Sequence, residues 1–147
     1  MYFRGYNKWS DDFKRSGKMI EKWWLELENK FTDIEIDEFV IMPNHVHGII
    51  INIGCGQITR GQTQWNKGEH IGSPLHRIVQ WFKTMTTNEY IRCVKQFHLK
   101  RFDRKLWQRN YYEHIIRNEA KLNKIREYII NNPIKWDIDI ENPRNIK

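Results

Sequence analysis

The chain has 147 residues, 39% of them hydrophobic and including seven Trp, six Tyr and seven Phe, enough to fill the core of one domain without disulfides or a structural metal. That composition excludes intrinsic disorder, a collagen-like repeat and a disulfide scaffold, and no apolar run approaches the ~20 residues that cross a bilayer. The formal charge is +7, yet residues 1–76 carry nine Lys+Arg and ten Asp+Glu, net −1, whereas residues 77–147 carry sixteen and eight, net +8, so the whole basic excess lies in the second half.

Met1-Tyr2-Phe3-Arg4 lacks the apolar segment of a secretory leader, and the two cysteines, Cys55 and Cys93, do not form a Cys-x-x-Cys pair. The expectation is a cytoplasmic protein with no membrane attachment and reduced thiols. A first helix, starting between Ser10 and Ser16, is predicted by Met19, Ile20, Trp23, Trp24, Leu27 and Phe31, which recur at three-and-four spacing. From Ile34 to Met42 the period changes to two, Pro43-Asn44 supplies a turn, and a second strand runs from His45 to Ile53, which together read as an antiparallel hairpin. Residues 54–72 hold five of the eight glycines and no period, and read as a flexible loop inserted in a single domain spanning 1–147.

Ser73-Pro74 is a helix start, and Leu75, Ile78, Val79, Phe82 and Met85 carry a second helix towards Val94. The basic stretch follows: Arg92, Lys95, Lys100, Arg101, Arg104, Lys105 and Arg109 face a single acid, Asp103, and Phe97, Phe102 and Trp107 are interleaved with them. Cations that hold phosphates and rings that stack on bases give this pattern in nucleic-acid-binding proteins; a solvated basic surface over ordinary core aromatics gives it too. Leu106 to Ile116 is rich in aromatic and β-branched residues and reads as a third strand. A last helix opens at Asn118, has Leu122, Ile125 and Ile129 on its apolar side, and is predicted to end before Pro133. The order implies an α+β fold, an antiparallel sheet with helices packed on one face.

Two groups of residues carry chemistry. His45 and His47 stand at i and i+2 of a strand, so both imidazoles project from the same face, the arrangement that gives one metal ion two nitrogen ligands and leaves a third to come from elsewhere. Gly48 leaves space beside them. Tyr128 and Asn132, four residues apart on the last helix, lie one above the other, about 40° apart around its axis. They can serve as nucleophile and third ligand, or as a core-rim phenol and a helix-terminal amide; residue chemistry alone leaves both readings standing.

Three blocks extend this. Asp37-Glu38-Phe39-Val40-Ile41-Met42-Pro43-Asn44-His45-Val46-His47-Gly48-Ile49 resembles the His-hydrophobe-His motif of the REP-associated tyrosine transposases, within the single-tyrosine HUH transposases of insertion sequences. Leu106-Trp107-Gln108-Arg109-Asn110-Tyr111-Tyr112-Glu113-His114-Ile115-Ile116-Arg117-Asn118-Glu119 is similar to that family's Trp-Gln…Glu-His-x-Ile-Arg signature, and Arg126-Glu127-Tyr128-Ile129-Ile130-Asn131-Asn132-Pro133 resembles the end of its catalytic helix. The resemblance covers about residues 17 to 143, in order.

It implies a ferredoxin-like or RRM-like sheet in an enzyme that cuts and rejoins single-stranded DNA and binds hairpins. His45 and His47 match the metal-binding histidines, Tyr128 the nucleophile that forms a 5′-phosphotyrosine, and Asn132 the place of a further ligand. Imidazoles by themselves suit Zn²⁺, so Mg²⁺ or Mn²⁺ is implied by the resemblance. Tyr111 and Tyr112 are competing nucleophiles, of which adjacent strand positions allow at most one to face the metal; Glu113 and His114 are supporting candidates. Family members have an N-terminal strand before the first helix, and here it is reduced to about residues 1–6 or missing, which leaves a decayed copy or a partner chain in a homodimer as alternatives. The competing functions are a non-catalytic nucleic-acid-binding module and a zinc hydrolase, the latter lacking any His-Glu-x-x-His motif.

Overall fold

The structure, a computed structural model, describes residues 11–53 and 74–138 together with Asn142 and Asn145. The expected N-terminal strand and the loop at 54–72 lie outside the described residues. The described elements are helix α1 (Asp11–Lys30), strands β1 (Ile34–Ile41) and β2 (Val46–Asn52), helices α2 (Pro74–Phe97) and α3 (Glu119–Lys135), and a 3₁₀ turn, Trp136–Ile138. The two strands pair antiparallel, so the architecture is α+β as expected, but the helices do not all pack on one face: α1 and α2 cover one side of the hairpin and α3 the side that carries the histidines. None of these helices is long and apolar enough to cross a membrane.

The hairpin closes over Pro43-Asn44, with the Met42 amide donating to the His45 carbonyl at 2.8 Å. Register within it is not uniform. Ile36 pairs with Ile50 and Phe39 with Gly48, so Asp37 and Glu38 together oppose Ile49 in a β-bulge. The extra residue keeps Ile34 and Ile36, then Phe39 and Ile41, on one face despite the three-residue step between them. That face, with Val46 and Ile50 from β2, packs against the buried residues of α1 and α2, among them Trp24, Leu27, Ile78 and Phe82. Glu28 of α1 accepts the Ile36 amide at the bulge, 2.6 Å away.

Trp24 is the hub of this layer. Its ring lies edge-on to Phe82 of α2 at 5.3 Å and meets Phe39 of β1 at 6.0 Å. It also occupies the space over Gly48: a Cβ built there would fall 2.2 Å from the ring. The space read as lying beside the histidines is therefore on the opposite face of β2, and an indole fills it. A second aromatic seam, Trp23 with Trp81 and Phe31 with Trp81, extends the α1–α2 contact, and Glu89 of α2 accepts from both Lys22 and the Trp23 indole.

Two expectations for the second half are corrected. No strand forms over residues 106–116. Instead the chain turns back at His98, whose left-handed φ of 55° stops α2, and runs along that helix held by side chains. The Tyr90 hydroxyl donates to the Lys100 carbonyl at 2.7 Å, the Trp107 indole to the Thr86 hydroxyl at 2.8 Å, and the Lys83 ammonium to the Gln108 carbonyl at 2.8 Å. Leu106 and Trp107 are buried against α2, whereas Tyr112 is 85% exposed, so the apolar residues do not alternate as a sheet requires. The second correction is that α3 continues through Pro133. Proline has helical φ and removes one backbone donor near the end of the helix, and burial of Trp136 beyond it anchors the continuation.

Two substitutions test this packing. Gly48→Ala forces the β-carbon against a buried indole and is expected to lower unfolding free energy by at least about 1–3 kcal/mol in urea titration. Thr86→Val keeps the volume but leaves the buried Trp107 N–H without its acceptor, an expected loss of about 1–3 kcal/mol by the same measurement.

Candidate active site

The opposite face of the hairpin carries the chemistry. His45 precedes β2 and His47 lies within it, and their rings meet at 4.6 Å between centroids, inclined by 77°. His45 is buried and His47 half-buried. The His45 Nδ1 lies 2.6 Å from the Asn44 side-chain oxygen, an acceptor that favours the Nδ1–H tautomer, in which Nε2 is the nitrogen left to ligate.

Helix α3 crosses this face. Tyr128, Asn132 and Trp136 follow one another at four-residue steps, so they form one stripe along the helix and its 3₁₀ extension. The stripe runs antiparallel to β2: Tyr128 packs edge-on against His47 at 5.4 Å, and Trp136, inclined by 53°, meets His45 at 6.0 Å. Asn132, between them in the stripe, is 3% exposed, and its Nδ2 is buried with no hydrogen-bond partner among the described residues. Tyr128 is 54% exposed, so its ring touches the histidine while its hydroxyl remains open to solvent. The structure thus brings His45, His47, Tyr128 and Asn132 together within one chain.

An ion pair at the bulge ties α3 to β1. Arg126 Nε and Nη2 both lie 2.8 Å from Oδ2 of Asp37, and Nη1 reaches Asn123 Oδ1 at 3.0 Å. The hydrogen bond it donates to Asp37 raises the already high pKa of this guanidinium. The helix begins at Asn118, whose side chain accepts the Lys121 amide at 2.9 Å, an N-cap that leaves Glu119 in the first turn.

The remaining candidates lie elsewhere. Tyr111 stands over Lys83 of α2, the ammonium 5.4 Å from the ring, and Tyr112, Glu113 and His114 are exposed on the chain leading to α3. Of the seven basic residues, Arg92 pairs with Glu89 at 3.5 Å, and Lys95, Lys100 and Arg101 are exposed around the end of α2. Arg104, Lys105 and Arg109 line a cleft between α2 and the returning segment. Among the described residues no three His, Cys, Asp or Glu side chains converge as a metal site, so an ion would rest on the two imidazoles and a carboxamide. Sequence reasoning missed Asn44, Asp37, Arg126 and Trp136. The signal for Trp136 was the same four-residue step that links Tyr128 to Asn132.

An α+β unit with an imidazole pair under a tyrosine-bearing helix is the class this geometry defines. The chain is 39% identical over 132 residues to an uncharacterized protein of Haemophilus influenzae, in a match spanning 84% of this chain and 67% of that protein, and the two belong to one family. No protein-family model matches the sequence. The solved structure of a REP-associated tyrosine transposase bound to a REP hairpin shares the fold, with a TM-score of 0.57 and 19% identity over 91% of this chain. The chain spans 63% of the length of that structure.

Arg126→Met is expected to release α3 selectively. Amide hydrogen exchange should accelerate across Glu119–Lys135 while α1, α2 and the hairpin keep their protection, because the aromatic layer that binds them does not include Arg126.

Proposed function

We propose that the protein is a metal-dependent DNA strand transferase of the single-tyrosine transposase type, acting on single-stranded DNA next to a hairpin. The observation that carries this reading is the stripe of Tyr128, Asn132 and Trp136 laid along His47 and His45, which sets a phenol beside two imidazoles. The fold shared with the hairpin-bound transposase supports the substrate class.

The donor set fits a divalent ion that keeps positions open for substrate. Asn44 already directs His45 to ligate through Nε2, and the buried, unpartnered end of the Asn132 amide is where its carbonyl oxygen would lie with the amide turned over. His45, His47 and Asn132 would hold Mg²⁺ or Mn²⁺. When bound, such an ion offsets the charge of the non-bridging oxygens of the scissile phosphate. The Tyr128 oxygen forms a bond to phosphorus as its proton leaves to solvent; the bond from phosphorus to the 3′-oxygen breaks, and that oxygen takes up a proton. The products are a 5′-phosphotyrosine and a free 3′-hydroxyl. The phosphotyrosine conserves the phosphodiester linkage, so a 3′-hydroxyl can rejoin the strand without ATP.

The test is incubation with hairpin-bearing single-stranded oligonucleotides and Mn²⁺, followed by denaturing electrophoresis. Wild-type protein is expected to give a covalent protein–DNA band, Tyr128→Phe none, and His45→Ala a severe loss. A band that persists in Tyr128→Phe assigns the nucleophile elsewhere. No band with wild-type protein, with salt-sensitive DNA binding that survives His45→Ala, makes the protein a binding module.

A further inference from the structure

The segment that leads into α3 has the chemistry of a strand, yet among the described residues no strand lies beside it. Residues 110–117, Asn-Tyr-Tyr-Glu-His-Ile-Ile-Arg, run without a turn or bend. They are held near both ends: the Lys83 ammonium lies 5.4 Å from the Tyr111 ring, and Asn118, the next residue on, caps α3 by accepting the Lys121 amide. Between those points no backbone amide or carbonyl has a hydrogen-bond partner among the described residues. Tyr112 and Ile115 are 85% and 72% exposed. Aromatic and β-branched residues fit a pleated, half-buried surface, which this segment does not find on α2. An open row of extended backbone is a template for another strand, and edges that avoid such pairing carry lysine, proline or a bulge. Residues 110–117 contain no lysine, proline or glycine.

The order of the residues points to the occupant. Two copies related by a two-fold axis pair antiparallel, and the axis passes through one residue position, which faces itself while its neighbours pair in reverse order. An axis at Tyr112 leaves Arg117 outside the ladder. An axis at Glu113 sets two carboxylates against each other, and one at His114 sets two imidazoles together with Glu113 opposite Ile115. An axis at Ile115 sets Glu113 opposite Arg117 at two places, His114 opposite Ile116 at two places, and Ile115 against itself. Among these registers it alone pairs opposite charges directly, and it covers the most exposed aliphatic side chain of the segment.

We propose that residues 113–117 form an antiparallel ladder with the same residues of a second copy of this chain, centred on Ile115, so that the protein assembles as a two-fold dimer. The surface is independent of the strand-transfer reading. His45, His47, Tyr128 and Asn132 already meet within one chain, so the dimer carries two whole sites and completes neither. Helix α3 starts directly after the ladder, which sets the two α3 helices at its opposite ends.

The experiment is sedimentation equilibrium of the full chain. A five-residue ladder makes an interface smaller than the standard size, so the wild type is expected to pass from monomer to dimer over about 1–200 µM. Glu113→Arg and Arg117→Glu each set like charges across the ladder at two places and should each weaken the dimer about 10-fold. The double variant Glu113→Arg with Arg117→Glu should regain wild-type assembly; both side chains are exposed, and this rescue separates lost pairing from misfolding. Register is read from Tyr112→Cys, Glu113→Cys, His114→Cys and Ile115→Cys, each in a chain with Cys55 and Cys93 replaced by Ser. Residues directly opposite stand about 4.5–5.5 Å apart at Cα, within disulfide reach, so Ile115→Cys is expected to cross-link on mild oxidation and the other three to stay largely monomeric on denaturing gels. A wild type that remains monomeric overturns the proposal. So does a dimer indifferent to the charge exchange, or one that cross-links best through another of the four positions.

Discussion

The contact on which the rest depends is the indole of Trp24 lying over the bare α-carbon of Gly48. It closes α1 onto β2 more tightly than any side chain at that position permits, and through the same ring it reaches Phe39 and Phe82. One aromatic group thus ties both strands to both helices of its layer. The strand whose inner face it holds presents His47 on the outer face one residue away, so a core contact sets the position of a candidate ligand. Strands transmit position in this way because successive side chains point to opposite faces of one stiff backbone.

On the outer side the design is different. Helix α3 lies outside the aromatic cluster that joins α1 to α2; it is held by the Arg126–Asp37 ion pair, by the ring contacts of Tyr128 and Trp136 with the histidines, and by burial of Ile129 and Trp136. Beside that apolar burial, the element bearing the proposed nucleophile is docked by directional interactions. These fix angle and register while adding less stability than apolar burial does. A helix that must place a hydroxyl at a phosphate needs the former more than the latter.

Much of this was legible in local periodicity. The i, i+2 histidines and the i, i+4 pair of Tyr128 and Asn132 share faces by geometry alone, and the hairpin turn at Pro43-Asn44 follows from the residues that occupy it. What escaped was tertiary. Residues 106–116 have the composition of a strand, but Leu106 and Trp107 find burial and hydrogen bonds on α2, and side-chain docking overrides strand propensity. Pro133 reads as a helix stop because its sequence shows the missing donor and not the buried Trp136 that follows. Lys83 sits among Thr and Gln on a helix face that reads as ordinary solvent-facing polarity; only the returning segment makes it part of a cleft.

The bulge at Asp37 and Glu38 has a consequence for how the chain can vary. Its extra residue keeps Ile34 and Ile36 in phase with Phe39 and Ile41, so deleting one residue there would rotate Phe39 and Ile41 onto the histidine side and remove them from Trp24. Most substitutions at Glu38 would leave that phase intact. At this point in the sequence the number of residues is constrained more strictly than their kind, and insertions or deletions would be the changes that separate a folded, two-faced hairpin from one whose faces are exchanged.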